Sequence, residues 1–121
     1  MSEHAALIRQ MLAGQEHWVE LEPGKAVKFR RPADTEGLSV LHGAGAKRGT
    51  PHLFLDDLTK YAVDWRGFSE ADLLGHGIGN SDPLSFDREV WRLAVADNLV
   101  WFGAALEGLL GAITKQLTAS A

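Results

Sequence analysis

Two short stretches of this chain put reactive residue types side by side. AVDWRGF, Ala62 to Phe68, sets an acid, an indole and a guanidinium in front of a glycine. Inside a pocket that also held His76, Asp64 and Arg66 would make an acid–base site. GAGAKRGT, Gly43 to Thr50, has the composition of a phosphate loop. Such a loop needs Lys followed by Ser or Thr directly after its last glycine, but here Lys47 precedes Gly49 and only Thr50 follows it. The dinucleotide fingerprint needs closer glycines than Gly43, Gly45 and Gly49, with a strand before and a helix after. A flexible basic loop is the better reading of this run.

The other candidates for chemistry are weaker. His4, His17, His42, His52 and His76 include no pair at the four-residue spacing of a helical zinc site. Asp56, Asp57, Asp64, Asp72 and Asp82 could supply paired carboxylates, yet helix ends and solvated loops explain them without a pocket. Ser39, Ser69, Ser81 and Ser85 lack the strand–turn–helix context of a nucleophile elbow. The chain has no cysteine, which removes disulfides and thiolate chemistry. No catalytic residue, metal or cofactor is expected.

The elements that would position these residues follow from patterning. At 121 residues, with 45% hydrophobic and 23% charged, the chain suits a single domain spanning 1–121. Leu7, Ile8, Met11 and Leu12 predict a helix over Glu3 to Gln15. Alternation around Pro23-Gly24 predicts a hairpin with a three-residue loop, Pro23 to Lys25, which sets Leu21 opposite Val27, Val19 opposite Phe29 and Glu20 opposite Lys28. Asp34 to Leu41 reads as a turn or brief helix before the Gly-rich loop. Leu53 to Val63 reads as helix, with Trp65 an apolar anchor at its end and Gly67 releasing the chain into an irregular connection. Asp87 caps a further helix, with Phe86 placed to staple onto Trp91. That helix runs toward Leu117 with a break near Asp97 and Asn98.

On the last helix Leu99, Phe102, Leu106, Leu109, Leu110, Ile113 and Leu117 form one apolar face. The other side carries Trp101, Ala104, Ala105, Gly108, Gly111 and Ala112, with core and subunit interface both open as its role. Trp101, Phe102, Ala105, Leu109 and Ala112 are the interface candidates, with Lys47 and Arg48 as a basic rim. The fold class is α+β: an N-terminal helix, an antiparallel hairpin, and helices packed on it, the last one long.

Charge is unevenly spread within a net of −4. Lys25, Lys28, Arg30, Arg31, Lys47 and Arg48 face only Asp34 and Glu36 within their stretch, while acids dominate Asp56 to Glu89. This favours oriented protein docking over nucleic-acid coating. The start of the chain lacks the basic and apolar pattern of an export signal, and Glu107 interrupts the most apolar segment, so neither export nor a membrane span is expected.

Three pieces in order, VKFRRP, then VDWRGF, then DPLSFDREVWRLA with a helix to the end, carry a resemblance. Together they resemble the tail assembly chaperones of long-tailed phages and prophages, in which an Arg-Pro after a short strand, a Trp-x-Gly segment and a Pro-Leu-x-Phe helix start recur. The resemblance covers Trp18 to Leu117, and the Gly-rich insertion and the very apolar last helix depart from it. It implies a non-enzymatic, self-associating protein of the bacterial host cytoplasm. Its partners would be the tape measure protein and other tail proteins, and it would assist tail-tube assembly by stoichiometric binding. The alternative is a small cytoplasmic adaptor or regulatory module that uses a basic hairpin to bind nucleic acid or protein.

Overall fold

The alternating segments on either side of Pro23-Gly24 form an antiparallel pair, β1 (His17–Glu22) and β2 (Lys25–Phe29). A computed structural model describes residues 2–13, 15–47, 49–74 and 79–120. The expected register is corrected in its detail. The loop is the two-residue Pro23-Gly24, with Gly24 at φ +88° and Glu22 opposite Lys25. A bulge between Glu20 and Glu22 then brings Val19 opposite Val27 and His17 opposite Phe29. One extra residue restores the apolar sets to a common face, which a two-residue loop alone would have split. Glu20 therefore faces Ala26, and Lys28 stands opposite Trp18 and pairs with Glu16 at 2.8 Å.

A third strand replaces the end of an expected helix. After a 3-10 turn at Pro51–Phe54, α3 spans only Leu55–Tyr61, following α1 (Glu3–Ala13) and α2 (Asp34–Lys47). The chain then turns extended as β3 (Ala62–Arg66), which pairs antiparallel with β2 and sets Trp65 opposite Val27. Two long-range bonds fix the switch: Arg30 N donates to Tyr61 O at 2.8 Å, and the Arg88 guanidinium donates to Ala62 O at 3.0 Å.

The Gly-rich run is helix, not loop. α2 carries Gly43 and Gly45 inside it, and the expectation of a flexible basic loop is overturned over Gly43 to Lys47. Glu36 at the third helical position accepts from Ala33 N at 2.9 Å, one half of a capping box. Val40 and Ala44 are buried, and at Gly37 an added Cβ would lie 3.0 Å from Ile113 Cγ2. Packing on the C-terminal helix offsets the poor propensity of the glycines.

Ser69 and Asp72 cap the short α4 (Glu70–Leu74) by mutual hydrogen bonds. Asp87 caps α5 (Arg88–Ala96) by accepting from Val90 N, and Asn98 does the same for α6 (Leu99–Ser120) by accepting from Trp101 N. The predicted break at Asp97 and Asn98 is present as an elbow of 114°. Within the described residues no single helix is long and apolar enough to cross a membrane.

The core lies between the inner sheet face and the helices, with Val27, Phe29, Leu58, Tyr61, Trp65, Phe68, Trp91 and Val95 among its buried members. From α6 it takes Trp101, Ala105, Leu109 and Ile113. The buried face of α6 is thus turned toward its small-residue side. Leu99, expected inside, is 82% exposed. The physical reason is closeness: a Cβ on Gly108 would collide with the Val19 side chain, so only a stripe of small residues lets α6 lie on β1.

Candidate functional site

Trp65 connects the two most distinctive stretches of the sequence. Its indole N–H donates to Leu84 O at 2.7 Å, its ring stacks on Phe68 at 4.8 Å, and Phe86 meets it edge-on at 5.3 Å. Leu84 N in turn donates to Phe68 O at 2.8 Å. Asp64 and Arg66 point outward as expected, and Gly67 adopts φ +85° against the Gly24 carbonyl, where any side chain would collide. The ring of Phe86 is therefore engaged with Trp65 at the mouth of the helix it precedes. Asp64 and Arg66 are exposed, and His76 lies outside the described residues.

This clamp holds Leu84 beside α4 and α5 and leaves an apolar groove of about 360 Å³ between them. Leu73, Leu74 and Glu70 from α4, Leu84, and Val90, Leu93 and Ala94 from α5 line it. Leu74 and Leu93 are 57% and 72% exposed, and Leu99 and Val100 stand uncovered at the nearby elbow. Burying a Leu side chain is favourable by about 1.5–3 kcal/mol, so such a set is stabilised when covered. A second uncovered surface is α1, where Leu7, Ile8 and Met11 share an exposed stripe.

The polar cleft between α2 and α3 is internally satisfied. Between α2 and α3, Glu36 accepts from Ala33 N and faces Arg30 at 3.4 Å and Lys60 at 3.2 Å. The Ala33 N–H and the Arg30 guanidinium, with Lys60, hold its carboxyl down to about 2 despite its partial burial. Tyr61 lies under Arg30 at 4.7 Å, and burial pushes its hydroxyl pKa up. On the outer sheet face Trp18 is held between Lys28 at 5.5 Å and Arg66 at 4.7 Å. Within the described residues no group of three His, Asp or Glu side chains could hold a metal ion.

The interface candidates are redistributed. Trp101, Ala105 and Leu109 are buried in the chain's own core and offer no surface; Phe102 and Ala112 are half-buried beside them. Lys47 is no adjustable rim, since its ammonium pairs with Asp57 at 2.7 Å and lies 5.7 Å from the Phe54 ring. Arg48 lies outside the described residues. The sequence signal that pointed to the groove was on α5. There Trp91 and Val95 supply the core face with Val90 and Ala94 packed half-buried beside it, and Leu93 alone is surplus to it. Compared with protein-family models, curated proteins and solved structures, the chain has no significant match.

Proposed function

We propose that the chain is a non-enzymatic binding protein of the assembly-chaperone kind, which holds an amphipathic helical segment of a partner in the groove between α4 and α5. The groove carries this reading: Leu73, Leu74, Leu84, Val90 and Leu93 line an apolar floor, with Leu74 and Leu93 exposed among the described residues. Recognition of a helix in a hydrophobic groove uses such a floor, reading apolar anchors at three- and four-residue spacing. The resemblance to phage tail assembly chaperones supplies the expected partner, the tape measure protein, and the exposed stripe on α1 is the surface best suited to self-association.

Co-expression with a phage tape measure protein tests the proposal. The wild-type chain is expected to keep that protein soluble and to co-purify with it, whereas Leu93→Asp loses it. Because Leu93 is so exposed, the variant should melt within about 2 °C of wild type. Equal co-purification by Leu93→Asp would exclude the groove as the binding site.

A further inference from the structure

The groove has an acidic rim. Glu70 lines it on the α4 side. On α5, Val90, Leu93 and Ala94 share one face, and Asp97 follows at the same helical spacing, four residues after Leu93 and three after Ala94. Glu89 borders Val90. Glu70, Glu89 and Asp97 have no cation partner among the described residues, so no cation of this chain covers their charge there. The cations of α5 are engaged elsewhere: Arg88 donates to Ala62 O at 3.0 Å, and Arg92 pairs with Asp56 at 2.8 Å.

Apolar floor, negative border and absent cations together define the occupant. We propose that the groove selects a basic amphipathic helix from a partner protein, with apolar anchors on one face and Lys or Arg along its edges. This rests on the groove being the binding site and adds the charge of what it binds. A helix edged by acids would bring like charges to Glu70, Glu89 and Asp97, whereas a basic edge would bring opposite ones. Each such pair is exposed and adds only a few-fold, so three together give about ten-fold. The chain's own α1 fits poorly. Its cation, Arg9, is two residues from both Leu7 and Met11 and so lies across the helix from them, leaving the edges of the stripe without basic residues.

The test uses two synthetic helical peptides of equal length with identical leucine faces, one edged by Lys and the other by Glu, titrated with the full chain by fluorescence anisotropy. The Lys-edged peptide is expected to bind about ten-fold tighter at low salt, with the gap closing at high salt. Leu93→Asp abolishes binding of both. The triple change Glu70→Lys, Glu89→Lys, Asp97→Lys reverses the preference. The triple change Glu3→Lys, Glu20→Lys, Glu107→Lys has the same net charge but lies elsewhere, and leaves the preference in place. Glu70→Lys alone narrows it and guards against misfolding of the triple. Equal affinity for the two peptides, lost on Leu93→Asp, would overturn the charge selection and leave the groove standing. Binding indifferent to Leu93→Asp would remove both. If peptide binds only to Ile8→Asp, and that variant is monomeric where wild type is not, the occupant is α1 of a second copy and the proposal fails.

Discussion

Glu36 joins three parts of the fold through one carboxylate. It caps α2 through Ala33 N, faces Arg30 at the end of β2, and reaches Lys60 on α3. Those contacts favour the charged form, so its pKa falls from 4.5 to about 2. A depressed carboxylate pKa contributes stability that is fully present above the unfolded value and is lost as pH falls through the folded one. Glu36→Gln should therefore cost about 2 kcal/mol at neutral pH, allowing for solvent screening of a partly exposed group. Thermal melts across pH check it: the gap between variant and wild type narrows as pH falls from about 4.5 to about 2. A constant gap would assign the contribution to shape. Trp65 was legible at this scale as an apolar anchor, though it sits within β3 and not at the end of a helix. Its partner Leu84 was not legible, since a bond across so long a loop leaves no local signal.

α6 carries Gly103, Gly108 and Gly111, three like residues in unlike surroundings. At Gly103 and Gly111 an added Cβ meets open space, while at Gly108 it meets Val19 of β1. Replacing either of the first two by Ala should stabilise the protein by up to about 1 kcal/mol, the propensity difference. Gly108→Ala should instead cost about 2 kcal/mol, overpacking outweighing the same propensity gain. Urea denaturation reads the signs directly, and stabilisation by Gly108→Ala would refute close seating of α6 on β1. Legibility of elements followed the same division. Helix ends with side-chain caps, at Asp87 and near Asn98, were readable because the signal is local. The Gly-rich part of α2 and the strand at Ala62–Arg66 were not, since burial of Ala44 in the one and β2 pairing with the other override local preference. Of the expected apolar face of α6 only Leu99 is exposed, but the role of the small-residue side stayed open because a helix apolar on nearly every side gives no period to read.

Across the whole molecule the uneven charge of the sequence is largely neutralised by folding. Lys25 pairs with Asp72 at 3.2 Å and Lys47 with Asp57 at 2.7 Å, acids from the second, acidic stretch laid on bases of the first. Lys28, Arg30 and Arg31 find Glu16, Glu36 and Asp34. Sequence position could not display the non-local pairs, and these leave little of the basic patch that supports the nucleic-acid reading. Arg66 and Lys28 flank Trp18, but Glu20 and Asp64 lie exposed on the same sheet face, too mixed in sign to follow a phosphate backbone. Labelled duplex and single-stranded DNA should therefore show no saturable anisotropy change at low salt. Binding whose logarithm falls steeply with the logarithm of salt concentration, and which Lys28→Ala with Arg66→Ala removes, would instead make the hairpin a nucleic-acid surface. The same experiment with a Lys-edged helical peptide in place of DNA should give the opposite result. It draws on Glu70, Glu89 and Asp97, which have no cation partner among the described residues, so it should withstand loss of Lys28 and Arg66 and fail on loss of Leu93.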